Sequence, residues 1–337
     1  APHAHGRGIV TPQIVVENLS KTFMIAERDP GAWGAVRGLF HRRYRAVRAL
    51  DGISFALEPG ELVGYIGPNG AGKSTTVKIL AGIMVPEGGR CEVLGRVPWD
   101  HRIANAREIG VVFGQRTQLW WDLPVIESFD LLRDIYRVPP DQHRRTRDEM
   151  VDMFDLGPLL DVPVRQLSLG QRMRCELAAS LLHRPAILYL DEPTIGLDAT
   201  SKLAVRELVR RLNREQGVTV ILTTHDMDDI EALCHRVILI NKGRILCDGT
   251  LGQLRARVSN ERWLIVDLVD AEAVIDDPDV RVARRDDGRL CLRFDPERVS
   301  AMELISRVAA KHPLRDLYVE NPPIEEVIAR IYDQEQR

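Results

Sequence analysis

The run Gly67-Pro68-Asn69-Gly70-Ala71-Gly72-Lys73-Ser74-Thr75 constrains this chain more than any other stretch. It fits the pattern G-x-x-x-x-G-K-[ST]. An apolar segment, Leu62-Val63-Gly64-Tyr65-Ile66, precedes it, and a helical pattern through Thr76-Val77-Lys78-Ile79-Leu80 follows. The glycines let the backbone curl so that its N–H groups face one centre. The helix N-terminus adds positive partial charge at that centre. Lys73 supplies a full charge for the outer phosphates of a nucleoside triphosphate, and Ser74 offers a hydroxyl to Mg2+. Strand, loop and helix in this order make a chance glycine turn a poor account. The loop alone predicts the ligand class and does not select a family.

A second apolar strand, Ile187-Leu188-Tyr189-Leu190, ends in Asp191-Glu192. One carboxylate at such a strand end can hold Mg2+ beside the phosphates, and that role is assigned to Asp191. The next can orient or deprotonate the attacking water, and that role is assigned to Glu192. His225, after the apolar strand Val218 to Leu222 and within Thr223-Thr224-His225-Asp226, could donate a hydrogen bond to the γ-phosphate. Gln115 follows Ile109-Gly110-Val111-Val112-Phe113-Gly114, and its amide could touch Mg2+ or water.

The family becomes specific at Leu167-Ser168-Leu169-Gly170-Gln171, which resembles the LSGGQ signature of ATP-binding cassette (ABC) transporter ATPases. With the loop at 67–75, Gln115, Asp191-Glu192, Gly196-Leu197-Asp198 and His225, the order and spacing are similar to that family over about 14–250. Leu169 departs from the signature's usual glycine; its backbone N–H is retained, and its side chain is expected to alter local packing or rate. The resemblance implies an α/β fold, a P-loop NTPase cassette with a RecA-like core, an antiparallel β subdomain and a helical subdomain over about 100–180. It implies two copies, or this chain and a related ATPase, facing head to tail. Each ATP would then lie between Lys73 of one copy and Ser168 and Gly170 of the other, with Asp198 crossing the dimer interface. Gln115 would link the nucleotide to a segment that meets an integral membrane permease. The adjacent Trp120 and Trp121 follow shortly, and one of them is expected in the permease-facing groove.

The adenine is expected to stack on an aromatic near the first strand. Phe23 and Tyr44 both fit, and Phe23 is preferred. Between them, within the insertion at 24–48, residues 30–48 carry five arginines and no acids, with Trp33, Val36, Phe40 and Tyr44 at helical spacing. This describes a basic amphipathic helix, suited to peripheral contact with an anionic membrane surface or with the permease; an ordinary surface helix packed on its own domain is the alternative.

Beyond the cassette at 13–252, a small α+β domain is expected over 258–337. Its strands fit Trp263 to Val269, 279–284, 289–294 and 314–319, and its helices fit 298–311 and 323–332. The insertion, the Phe113-to-Arg116 stretch and this tail resemble an exporter branch whose ATPases pair with separate six-span permeases, as in bacterial drug and antibiotic export.

Bulk properties agree with this reading. There are 337 residues, enough for two domains. The formal net charge of -3 gives no basic field for nucleic acid. No run of about 18 apolar residues predicts a membrane span. The N-terminus, with a loose tail expected over 1–12, lacks the apolar core of a signal peptide, so the chain is expected at the cytoplasmic face of the inner or plasma membrane, held by the permease. Five scattered cysteines with no C-x-x-C pair predict buried free thiols. The competing reading is a soluble ABC ATPase acting on the ribosome or nucleic acid. The expected chemistry is ATP hydrolysis with Mg2+.

Overall fold

The computed structural model describes residues 11–27, 43–114, 116–258, 261–270, 272–286 and 289–335. The chain divides into two compact units, Ala1–Asp248 and Gly249–Arg337.

The first unit is built on a six-stranded sheet in the order β5-β6-β7-β3-β8-β9. Its strands are β3 (Leu62–Ile66), β5 (Ile109–Phe113), β6 (Ile187–Asp191), β7 (Thr219–Thr223), β8 (Arg236–Asn241) and β9 (Arg244–Thr250). The pairs β5–β6, β6–β7, β7–β3 and β3–β8 are parallel. Such strands are covered on both faces, and the side chains of β7 are all buried. Parallel strands bring their C-terminal ends to one sheet edge, where ligands of α/β folds bind. Here that edge carries the glycine loop after β3, the carboxylates ending β6 and His225 after β7. The turn from β8 to β9 has positive φ at Lys242 (47°) and Gly243 (78°), which suits a tight hairpin.

A three-stranded antiparallel sheet, β2-β1-β4, packs into the same core. It comprises β1 (Ile14–Glu27), β2 (Arg43–Leu57) and β4 (Gly88–Val93). Helix α1 (Lys73–Leu80) runs from the glycine loop and buries Val77, Ile79 and Leu80. The segment between about 100 and 180 contains α2 (Arg102–Glu108), α3 (Val125–Tyr136), α4 (Pro140–Phe154) and α5 (Leu169–Leu181). Helices α6 (Ala199–Gln216) and α7 (Met227–Leu233) follow β6 and β7.

The structure adds a strand to one expectation and corrects another. The mostly helical stretch contains the strand β5, a five-residue apolar run that pairs along its whole length with β6, so Phe113 lies opposite Asp191. The helix expected over 30–48 does not extend through 43–48. Those residues form β2, with Tyr44 opposite Ala26 and Val47 opposite Phe23. Backbone pairing to the neighbouring β1 outweighs the helical spacing of a few aromatics there. The rest of that expected helix, including Trp33, Val36 and Phe40, lies outside the described residues, as does most of the expected N-terminal tail.

The second unit has a four-stranded antiparallel sheet, β11-β12-β10-β13. The strands are β10 (Arg262–Leu268), β11 (Val280–Asp286), β12 (Arg289–Phe294) and β13 (Leu314–Glu320). Leu264, Val266, Leu290, Leu292 and Phe294 on one face meet Leu304 and Val308 of α9 (Ala301–Lys311). Helices α8 (Leu251–Val258) and α10 (Ile324–Glu335) complete it. All five cysteines are buried and free. No helix among the described residues is long and apolar enough to cross a membrane.

Candidate active site

The loop between β3 and α1 borders a cleft of about 560 Å³ lined by Asn69 through Thr75 together with Phe23, Phe113, Gly114, Arg116, Asp191 and Glu192, among others. Two glycines hold it in a shape other residues resist. Gly70 has φ +79° and Gly72 φ +114°. A Cβ on Gly72 would also lie 2.6 Å from Ala49 O. Lys73 is buried, and its Nζ folds back to donate to Gly67 O (2.6 Å) and Pro68 O (3.2 Å). Burial lowers its pKa, while the charges of Glu192 and Asp191 oppose the shift. An anion in the cleft would favour the charged ammonium in the same way.

Asp191 ends β6 with both carboxylate oxygens engaged. Ser74 Oγ donates to Oδ2 at 3.2 Å, and the Thr223 hydroxyl donates to Oδ1. With their protons committed to or facing Asp191, the hydroxyl lone pairs and the carboxylate form a hard-oxygen donor set. That chemistry suits Mg2+, which takes a few protein oxygens and completes its shell with phosphate and water.

Glu192 stands next to it at φ +56°, a left-handed conformation uncommon for a residue with a Cβ. Surrounding structure imposes it. Glu192 N donates to Thr223 O (2.9 Å), Gly114 N donates to Asp191 O (2.7 Å), and a Cβ on Gly114 would overlap Glu192 O. The side chain meets His225, with Nδ1 2.7 Å from Oε2. A carboxylate held this way at a cleft wall, partnered by an imidazole, can accept a proton from water.

Of the two aromatic candidates for adenine, Phe23 lines the cleft; Tyr44 is exposed and is not among the lining residues. Gln115 lies outside the described residues, although its neighbours Gly114 and Arg116 border the cleft.

The signature segment forms a separate place. Ser168 caps α5 in a reciprocal pair: its Oγ accepts from Gln171 N (3.2 Å), and Gln171 Oε1 accepts from Ser168 N (2.9 Å). Because Ser168 Oγ acts as acceptor, its own proton is available to a ligand. Gly170 packs so closely on α6 that a Cβ would lie 2.9 Å from Ser201 Cβ. Leu169 points its side chain over Gly196, within 3.1 Å of where a Cβ would stand. The bulk that departs from the usual glycine is thus taken up against the loop after Glu192. A groove of about 240 Å³ runs along Ser168, Gly170, Gln171 and Ser201. None of residues 168–171 lines the phosphate cleft of the same chain. Asp198 caps α6, accepting from Ser201 N (2.9 Å) and Ser201 Oγ (2.9 Å), and these bonds lower its pKa.

Two contributors carry no sequence signal of their own. Thr223 lies in a Thr-Thr-His-Asp string and becomes a partner of Asp191 only because β6 and β7 pair with these residues opposite each other. Glu176 is buried in α5 without signalling itself, beyond being a lone acid in a largely apolar helix segment.

A glycine loop cradling a lysine, opposite an acidic strand end on a mostly parallel sheet, defines a P-loop nucleoside triphosphatase. A family model described as ABC transporter matches residues 50–195. The daunorubicin/doxorubicin resistance ATP-binding protein DrrA of Streptomyces peucetius is 34% identical over 266 residues, covering 74% of this chain and 80% of that protein. DrrA3, a daunorubicin resistance ATP-binding protein of Streptomyces coeruleorubidus, is 36% identical over 232 residues, 69% of this chain and 72% of that one. The Nod factor export ATP-binding protein I of Paraburkholderia xenovorans is 37% identical, covering 64% of this chain and 70% of its own length. Among solved structures, cbiO1 of Clostridium perfringens, part of the ABC transporter complex cbiONQ, superposes with a TM-score of 0.60 at 27% identity over 73% of this chain and 91% of that one. A dimeric ATP-binding cassette in a post-hydrolysis state with ADP and Pi gives 0.57 at 26% identity, covering 70% and 98%. The chain belongs to the ABC transporter family, as an ATP-binding subunit with ATPase activity. A role on the ribosome or on nucleic acid is not favoured by these relatives.

Proposed function

We propose that this chain powers an exporter, closing as a head-to-tail dimer over two Mg-ATP and opening when they are hydrolysed. The observation that carries the reading is the separation of the two half-sites. The cleft at 67–75 holds Lys73, Ser74, Asp191 and Glu192, while the signature segment 168–171 faces elsewhere with a free hydroxyl proton at Ser168. A second copy, or a related ATPase, would supply that segment to complete the cleft.

In this reading, Phe23 stacks on adenine, and residues 67–75 wrap the phosphates with Lys73 on the outer ones. Ser74 and Asp191 hold Mg2+, with Gln115 nearby. Glu192 accepts the proton of the attacking water, and His225 orients Glu192 and reaches the γ-phosphate. Ser168, Leu169, Gly170 and Gln171 bind the partner's ATP, and Asp198 lies at the dimer interface. The cassette is held at the cytoplasmic face of the membrane by an integral permease, with one of the exposed Trp120 and Trp121 in the permease-facing groove and 258–337 as an accessory domain. Export is favoured because relatives are named for drug resistance and for Nod factor export.

The test is affinity purification of the full chain from detergent-solubilised membranes. A stoichiometric polytopic membrane protein is expected, and its presence should stimulate ATP hydrolysis by the chain. Recovery from the soluble fraction alone, with unchanged turnover, would overturn the transport reading.

A further inference from the structure

The segment that leaves the cleft, residues 116–123, is bound along its length to the signature helix and the residues leading into it. Arg116 lines the cleft, and its backbone turns back to donate to Phe113 O at 3.0 Å. Immediately beyond, the Thr117 hydroxyl and Gln118 N (3.2 Å) both donate to the Glu176 carboxylate. Gln118 Nε2 donates in turn to Glu176 O (3.0 Å). One turn earlier on α5, the Arg172 guanidinium lies over the Trp121 ring at 5.7 Å. Residues 172 and 176 are one helical turn apart and share a face. Arg165, just before the signature, adds an ion pair with Asp122 at 2.7 Å and donates its backbone N–H to Trp121 O.

Glu176 is only 4% exposed, and its carboxylate is met by hydrogen bonds from residues 117 and 118. A buried carboxylate is costly unless hydrogen bonds and nearby positive charge replace its hydration. Burial raises its pKa, and the bonds from Thr117 and Gln118, with the Arg172 charge, act against that rise. An apolar residue at this place in α5 would avoid the penalty. What the carboxylate gains is the ordering of residues 117 and 118, which otherwise lack regular structure.

We propose that Glu176 is a positioning residue, a latch through which the turn at the nucleotide cleft and the signature segment at Ser168 move as one piece. This rests on the dimer reading above. Glu176 touches neither nucleotide nor metal. Its effect is to couple what one cleft binds to where the same chain presents Ser168 to the partner's ATP. With the latch cut, nucleotide should still bind one chain, but the signature should no longer be held for closure.

The experiment uses the full chain carrying Glu192→Gln, so that ATP closes the dimer without turnover. Binding of a fluorescent ATP analogue to dilute protein reads the single cleft, and sedimentation velocity against ATP concentration reads closure. Adding Glu176→Ala is expected to leave single-chain affinity within about twofold and to raise the ATP concentration for half closure by about tenfold or more. Thr117→Val should move closure the same way, and Thr117→Ser, which keeps the hydroxyl, should restore it. Equal loss of affinity and closure, or an unchanged closure curve in folded Glu176→Ala protein, would overturn the latch. If Glu176→Ala does not fold, the Thr117 pair decides: an unchanged curve for Thr117→Val overturns the proposal. Failure of the Glu192→Gln parent to dimerise with ATP would instead remove the dimer reading beneath it, and the latch with it.

Discussion

Replacing Glu192 by glutamine isolates the proposed chemistry from the architecture. The main chain at 192 is fixed by bonds that do not use the side chain: Glu192 N to Thr223 O at 2.9 Å, and Ile195 N to Glu192 O at 3.3 Å. The amide oxygen can still accept from His225, which now lies 2.7 Å from Oε2. Stability should therefore change by no more than about 0.5 kcal/mol, as for a substitution that leaves packing intact. What disappears is a proton acceptor. Loss of a positioned general base costs about 10²- to 10⁴-fold in rate, or about 3–5 kcal/mol of barrier. ATP affinity should be retained or tightened, because one negative charge leaves the neighbourhood of the triphosphate and of Lys73. Steady-state phosphate release measured with nucleotide-binding titrations checks both halves. Turnover within threefold of the parent would show that Glu192 does not carry the proton transfer and would refute the reasoning. A lowered rate accompanied by weakened ATP binding would point to damage at the cleft wall.

Other expectations follow from the same geometry. Lys73→Ala should lose ATP affinity by about tenfold or more by titration calorimetry, since a buried charge facing the phosphates is removed. Gly72→Ala should abolish binding, because its φ of +114° and the 2.6 Å approach to Ala49 O leave no room for a methyl group; strained backbone of this kind costs about 1–3 kcal/mol, and relaxing it would open the loop. His183 stacks on Tyr136 at 3.9 Å with Nε2 2.8 Å from Ile109 O, and burial holds its pKa below the usual 6.5. The unfolded chain thus binds the proton more readily than the folded one. Stability from this group is full above pH 6.5 and declines as pH falls toward the lowered folded value. The melting temperature should drop over that acid range, and His183→Phe should flatten the drop.

The phosphate loop was legible in the sequence because its chemistry is local. Backbone N–H groups, a lysine and a hydroxyl within nine consecutive residues need no distant partner to be recognised. The ends of β6 and β7 were legible for a similar reason: a short apolar run followed by Asp191-Glu192 or by His225 marks a buried strand meeting a polar edge. The hairpin of β8 and β9 and the strands of the second unit also announced themselves through turn residues and alternation.

What the linear chain could not show were choices made by pairing. Arg43 to Arg48 continue the helical spacing that starts at Trp33 and ends at Tyr44, yet form strand because β1 offers its edge for hydrogen bonding. Ile109 to Phe113 sat within a helical stretch, and became strand because β6 lay open beside it. The choice of Phe23 over Tyr44 at the cleft depended on which way each side chain of that ribbon turned. Glu176 could not be distinguished from a solvated helix acid until α5 was packed against residues 117–121. Sequence alone determined which groups can meet a triphosphate, since that is set by residue types at close spacing; tertiary structure decided which of them share a cleft and which face away, since that depends on strand order and on contacts between residues far apart in the chain.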